Sequence, residues 1–363
     1  MKVKLEDVCI RDSSNLKQSD VLGKEGKYPV YGAAGYIGNV EFYHQKKSYV
    51  AVVKDGAGIG RTLICPAKSS VIGTMQYLLP KENILPEYLY YIVRYMHLEK
   101  YYTGATIPHI YFKDYKVEKF NLDSIDRQYN IINILGKCEK IINIRQKEIE
   151  KLDNLIKARF VEMFGDENNS KNWKIVNIED VADVQVGVVI KPSQYYTDES
   201  KGIRAFRSLN IGEGYIKDSD WVYFTEEGHQ KNKKSILKEN DLLIVRSGTP
   251  GTTCVVTKEY EGYNAIDIII AHPNCKKVNP YYLCEYTNMP HGKRKITEGT
   301  GGAAQQHFNV GKYNKIQLML PPMELQNQFA DFVHQVNKSK VAVQKALDET
   351  QKLFDSLMQQ YFG

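Results

Sequence analysis

The segment of this chain closest to a chemical signature is Asn279-Pro280-Tyr281-Tyr282. An Asn-Pro-Pro-Tyr loop can hold an extruded base while its amino group is methylated, but only one of the two prolines is present. A second copy of the same segment, Leu85-Pro86-Glu87-Tyr88, has neither the amide nor the second proline. A helix start, where proline is tolerated in the first turn, serves both copies. Asp114-Tyr115-Lys116 could form half of a metal-dependent nuclease centre, yet its counterpart Lys312-Tyr313-Asn314 carries no carboxylate. His109 and His307 occupy equivalent places with no acid or nucleophile set beside them, so both are expected to be hydrogen-bonding packers. No G-x-G-x-x-G follows a strand, and no G-K-[ST] phosphate loop occurs. The chain is therefore expected not to be an enzyme, with no catalytic residue, no metal and no cofactor of its own.

The elements around these segments belong to an ordinary globular protein. Its 363 residues suggest two or three domains, and 42% hydrophobic with 25% charged residues suffices for buried cores. No N-terminal stretch reads as a secretion signal, and no window has the length and apolarity of a membrane span. Six cysteines without a C-x-x-C pair fit a reducing compartment, so a cytoplasmic location is expected. The net charge of +6 is uneven: residues 1–120 hold 17 basic against 12 acidic side chains. That balance permits a polyanionic partner without requiring one. The 26 tyrosines suit polar interfaces but are mostly expected as packing residues.

An internal repeat organises the chain. Leu5-Glu6-Asp7-Val8 returns as Ile178-Glu179-Asp180-Val181, and Val53-Lys54-Asp55-Gly56 as Val245-Arg246-Ser247-Gly248. Leu85-Pro86-Glu87-Tyr88-Leu89 returns as Asn279-Pro280-Tyr281-Tyr282-Leu283. Further on the register is constant: Gly104-Ala105 and Gly302-Ala303, His109 and His307, Tyr115 and Tyr313, Gln128 and Gln326, Phe164-Gly165 and Phe362-Gly363 are each 198 residues apart. A duplicated unit with a divergent domain and a fixed helical half has this pattern.

The fixed half reads as a long helix. Steps of three and four residues pass through Gln128, Ile131, Leu135, Cys138, Ile142, Arg145, Ile149, Leu152, Ile156, Arg159 and Met163 in the first copy. In the second they pass through Gln326, Phe329, Val333, Val336, Lys340, Val343, Leu347, Thr350, Phe354, Leu357 and Tyr361. Eight of eleven positions are apolar in each, the 3.5-residue period of a coiled-coil seam. Asp123 or Ser124 can cap the first helix, Pro321-Pro322 opens the second, and Gly165 and Gly363 stand where glycine closes one. The fold class is thus α/β: domains over 1–120 and 166–318, with strands at Ser48–Val53 and Asp241–Val245 and short helices from Pro86 and Pro280. Long helices follow within 121–165 and 319–363, and their matched register points to mutual packing as a coiled coil.

Several stretches resemble one family, the DNA-specificity subunits of type I restriction-modification systems. Tyr28-Pro29-Val30-Tyr31-Gly32-Ala33-Ala34-Gly35 and Gly202-Ile203-Arg204-Ala205-Phe206-Arg207-Ser208-Leu209-Asn210-Ile211 look like the openings of its target-recognition domains. Asp241-Leu242-Leu243-Ile244-Val245-Arg246-Ser247-Gly248 is similar to its central strand and turn. Leu320-Pro321-Pro322-Met323-Glu324-Leu325-Gln326 resembles the entry to its long helix. The order domain, helix, domain, helix covers essentially the whole chain. Two departures concern local turns: Leu122-Asp123-Ser124-Ile125 lacks the double proline, and Asp55-Gly56-Ala57-Gly58 replaces a small polar turn.

The resemblance implies that each domain reads one half of a bipartite asymmetric site on double-stranded DNA. It also implies that the two long helices pair as an antiparallel coiled coil and dock methyltransferase subunits, two in number, and that motor-nuclease subunits join for restriction. S-adenosylmethionine, ATP and Mg2+ would then belong to the partner subunits. The alternative is the specificity subunit of a related system with a fused methyltransferase-nuclease partner, or of a methylation-only pair. Basic and amide side chains read guanine, adenine and phosphate, so the candidate contacts are Lys24, Lys27, Tyr31, Lys54 and Arg61 in the first domain. In the second they are Arg204, Arg207, Asn210, Arg246, Ser247, Lys293, Arg294 and Lys295.

Overall fold

A computed structural model describes residues 1–104, 108–298 and 308–363; the repeat markers Ala105, Gly302, Ala303 and His307 lie outside these. The chain divides into two compact units, residues 1–147 with 344–363 and residues 148–343. The helical segments expected over 121–165 and 319–363 do not form bodies of their own. Each is one continuous 40-residue helix, Ile125–Phe164 and Met323–Phe362, shared between the two units.

In the first unit, Lys2–Lys4 pairs antiparallel with Lys119–Asn121 and ties the start of the domain to its end. The main sheet runs Cys9–Ser13, Met75–Pro80, Tyr49–Val53, Thr62–Cys65, antiparallel throughout. Tyr49–Val53 is buried along its whole length, as the sheet's inner position and an unbroken β-prone run require. A smaller sheet orders Gly35–Val40, Tyr28–Gly32 and Ser70–Val71, the last pair parallel. One face of the main sheet holds Val50, Val52 and Leu78 against the helix Pro86–Tyr95 and the first half of the first long helix.

The second unit repeats the plan. Lys174–Asn177 pairs with Gln317–Leu320, and the main sheet runs Ala182–Val186, Ile268–Pro273, Leu242–Val245, Thr253–Val255. Its smaller sheet orders Tyr196–Thr197, Val222–Phe224, Ile203–Phe206 and Asn264–Ala265. The helix Pro280–Asn288 stands where Pro86–Tyr95 stands in the first.

The helix halves pair antiparallel within each unit. In the second, Lys340 pairs with Asp153, while Phe329 meets Phe164 at 5.4 Å between ring centroids. Eleven residues forward on one helix are thus eleven backward on the other. In the first, Ile131, Leu135, Cys138 and Ile142 share a core with Phe354, Met358 and Phe362.

Of the predicted seam, Ile131, Leu135, Cys138, Ile142, Ile156, Phe329, Val333, Val336 and Phe354 are buried, and Ile149, Leu152, Val343, Leu347 and Leu357 are half-buried. The last turns depart from it. Arg159, Met163, Leu357 and Tyr361 are only half-buried, and Phe160, Phe164, Met358 and Phe362 take the core instead. The stride there lengthens to four, Ile156 to Phe160 to Phe164 and Phe354 to Met358 to Phe362. A straight helix drifts from a 3.5-residue repeat, and these turns also pack on the domain. Phe160 stacks on Tyr282 at 5.6 Å, and Phe362 lies edge-on to Tyr88 at 5.4 Å.

Candidate nucleic-acid interface

The segments that suggested catalysis are engaged in helix starts and local pairs. Asn279 caps the helix Pro280–Asn288, its Oδ1 accepting from the Tyr281 backbone at 2.9 Å and its Nδ2 donating to Asn327 Oδ1 at 2.9 Å. Tyr282 is buried, and its hydroxyl donates to the Met319 carbonyl at 2.7 Å. In the other copy Tyr88 donates to Asp123 at 2.8 Å. The buried Gln326 accepts from the Asn279 backbone at 2.8 Å and donates to the Pro321 carbonyl at 2.8 Å. Gln128 does the same with Leu85 N at 2.9 Å and the Asp123 carbonyl at 2.9 Å. The Asn-Pro-Tyr segment is therefore a helix start held by a buried amide.

Asp114 and Lys116 form no joint centre: Lys116 pairs with Glu6 at 2.8 Å, and Tyr115 between them is fully buried. His109, expected to have no acid beside it, contacts Asp55, and its ring lies tilted at 4.0 Å from that of Tyr111, fastening the turn after Tyr49–Val53. Among the described residues no group of three His, Cys, Asp or Glu side chains is placed to hold a metal ion. No described helix is long and apolar enough to cross a membrane.

The candidate DNA contacts separate into exposed groups and groups used by the fold. In the first unit Lys24 and Lys27 are exposed on the loop ahead of Tyr28–Gly32. Arg61 is exposed, and its Nη1 donates to the Ala33 carbonyl at 3.0 Å, holding the turn of the small sheet to the loop after the central strand. Tyr31 is half-buried, its ring edge-on to the exposed Tyr36 at 6.3 Å. Lys54 Nζ stands 3.9 Å from Asp55.

In the second unit, Arg204, Arg207 and Asn210 converge on one three-residue segment. Arg204 Nη1 lies 3.3 Å from Asp218, its guanidinium 5.5 Å over the Trp221 ring. Arg207 donates to the Asp220 carbonyl, and Asn210 Nδ2 to the Ser219 carbonyl at 2.6 Å. Both arginines remain partly exposed; Asn210 is fully buried, with Oδ1 taken by the Arg207 backbone at 2.8 Å. Asn210 is thus a staple of its loop and not a base contact. Arg246 is likewise spent inside the fold, pairing with Asp267 at 2.6 Å and donating to the Phe308 carbonyl at 3.0 Å. Ser247 beside it is half-buried and also has a partner.

The run Lys293-Arg294-Lys295 lies on the helix Pro290–Thr297, and all three residues are paired within the second unit. Lys293 contacts Glu213, Arg294 contacts Glu167, and Lys295 Nζ donates to the Gln317 carbonyl at 3.0 Å. Burial pulls the Lys295 ammonium below its ordinary value. Three neighbouring basic side chains in sequence are here three anchors of one helix. Trp221, which carries Arg204, escaped the sequence reading although it is one of only two tryptophans. Phe160 escaped it too, and Phe164 was read as a repeat marker and not as core; the repeat carried the signal for both, since each has an apolar partner 198 residues on, Met358 and Phe362.

The chain matches the family described as Type I restriction modification DNA specificity domain twice, over residues 1–154 and 170–350. Among curated proteins it is similar to the type I restriction enzyme MjaVIII specificity subunit of Methanocaldococcus jannaschii. The two are 21% identical over 332 residues, 85% of this chain and 77% of the relative. The MjaIX specificity subunit of the same organism is 19% identical over 305 residues, 77% and 69% of the two chains. Among solved structures, the S subunit of a type I restriction-modification system from M. genitalium superposes with a TM-score of 0.63. It has 15% identity, and the match covers 100% of this chain and 96% of the other. A chain from a structural study of complex assembly and conformational transition in a type I restriction-modification system gives 0.54 at 13% identity, covering 99% and 97%. At such identities the likeness is one of fold.

Proposed function

The chain belongs to the type I restriction-modification DNA specificity family and is a specificity subunit of such a system, and we propose that its two α/β domains each read one half of a bipartite, asymmetric site on duplex DNA. The repetition of one plan carries this reading. Each unit has its own main sheet and its own smaller sheet, with the exposed Lys24, Lys27 and Arg61 in the first and the partly exposed Arg204 and Arg207 in the second. Two divergent readers on duplicated supports recognise two unlike sequences. The long helices then act as a spacer: 40 residues at 1.5 Å each extend for roughly 60 Å.

The subunit acts without chemistry of its own, and methyl transfer and DNA cleavage come from the subunits it joins. Two methyltransferase subunits docking on the helices and a motor-nuclease subunit complete the assembly, bringing S-adenosylmethionine, ATP and Mg2+ with them. The expected compartment is the cytoplasm, where chromosomal DNA is reached. The finding that Asn279, Tyr282 and Lys116 are committed to helix starts and local pairs supports the non-catalytic reading.

The test is a domain exchange read by methylome sequencing in cells that supply the methyltransferase. Replacing residues 166–318 with the corresponding domain of another family member should alter one half of the methylated sequence and leave the other intact. A change in both halves together would refute independent reading.

A further inference from the structure

A cavity of about 340 Å³ in the second unit is walled by the first long helix (Asp153, Lys157), the last long helix (Lys340), the loop Gly212–Tyr215 and the short helix bearing Glu285. Two of its acids are satisfied in place: Asp153 pairs with Lys340, and Glu213 with Lys157 at 3.7 Å and with Lys293. Glu285 is not. Its side chain is over nine-tenths buried, lines the cavity, and among the described residues has no hydrogen-bond or ion-pair partner. The wall is shaped around it. Gly214, at a φ of +75°, lies so close that a Cβ there would stand 2.8 Å from Glu285 Oε1.

A largely buried carboxyl whose oxygens open on a cavity without a hydrogen-bond partner favours opposite charge and hydrogen-bond donors there. We propose that this cavity is a binding site for a cationic head, an alkylammonium or guanidinium group, which enters between the helices and the domain to bond the Glu285 carboxylate. Tyr215 also lines the cavity and already carries the Lys340 ammonium at 5.5 Å from its ring, so the wall has the π-face that such a group uses. Burial holds the Glu285 carboxyl up at about 7, with Lys340 and Lys157 pulling it down and Asp153 and Glu213 pushing it up. Tyr215 and Lys217 complete the charged and titratable groups around the cavity. Cation binding therefore releases a proton near neutrality, and affinity rises with pH. The inference does not depend on the functional reading above. The cation can come from a free amine or from a lysine or arginine of the methyltransferase subunit.

The experiment is titration of the full-length chain with n-butylammonium chloride at pH 6 and pH 8, together with assembly on the methyltransferase subunit. Glu285→Gln preserves shape and the neutral carboxyl's bonding capacity, so it folds. Wild type should bind the amine about tenfold more tightly at pH 8, the ratio of ionised carboxyl at the two values, and Glu285→Gln should show the same weak affinity at both. If Glu285→Gln also weakens assembly and the amine competes with it, the cation arrives on the partner subunit; unchanged assembly assigns the site to a free amine. Amine affinity independent of pH, or wild type and Glu285→Gln indistinguishable in both measurements, overturns the proposal. Failure of the wild-type chain to assemble with a methyltransferase tells against the functional reading instead, and the amine titration still decides this one.

Discussion

Gln326 Oε1 accepts the Asn279 backbone N–H at 2.8 Å, which fastens the first turn of a domain helix to the first turn of a long helix. Gln128 makes the equivalent bond to Leu85. Both amides are fully buried, so each removes a backbone donor that would otherwise be orphaned.

Gln326→Leu should therefore cost about 1–3 kcal/mol, the penalty for stranding a buried donor. Asn279→Ala should cost about 0.5–2 kcal/mol through the lost cap. Urea unfolding measures both. The assembled enzyme should methylate DNA at the wild-type rate with Asn279→Ala; a loss of methylation without a loss of stability would restore a catalytic role to the asparagine.

The seam's change of stride is testable by paired truncations. Phe164→Ala removes a ring buried among Phe160, Tyr282 and Phe329 and should cost about 3–5 kcal/mol. Met163→Ala, next to it but half-buried, should cost markedly less. Equal losses in thermal or urea unfolding would mean that the 3.5-residue stride continues to the helix end.

His291 lies buried against Phe160 and Tyr286 with its Nε2 unpartnered. Burial first, and Lys295 second, pull its imidazole down to about 4. The folded state keeps it neutral while the unfolded chain takes up a proton below about 6.5. Its contribution is thus fully present above that value and is lost as pH falls toward 4, by up to about 3 kcal/mol. His291→Leu should flatten the stability profile across this window, and an unchanged slope from pH 7 to pH 4 would rule the histidine out as its source.

On DNA, Lys24→Ala and Lys27→Ala should each weaken binding at all sequences and lower the slope of log affinity against log salt by about 1 if the lysine meets a phosphate. Arg204→Ala and Arg207→Ala should change the half-site read by the second domain. Asn210→Ala should instead lower the melting temperature of the unit while the methylated sequence stays the same. A changed sequence with unaltered stability would make Asn210 a reader after all.

The repeat, the two long helices and the order of domains were legible because they are written in spacing. A 198-residue register and a 3.5-residue stride survive any divergence of loops. The candidate interface was less legible because basic residues look alike in sequence whether they face solvent or an acid. Arg246, Lys293 and Arg294 find Asp267, Glu213 and Glu167 only after the chain has folded. Lys24 and Lys27 remain exposed. Glu285 was invisible for the same reason, since its isolation is a property of the cavity and not of its neighbours in sequence.

The sharing of each long helix between the two units bears on the order in which the protein is made. Phe354, Met358 and Phe362 close the core built by Val50, Leu78, Tyr88 and Leu135, so the unit begun earlier in translation is finished by residues translated after the other unit. On a ribosome, that domain must wait with an apolar face open while the second unit, whose parts all lie within residues 148–343, is synthesised and can close. A nonsense mutation after residue 343 would thus spare the unit nearer the break and strike the one that precedes it in the sequence.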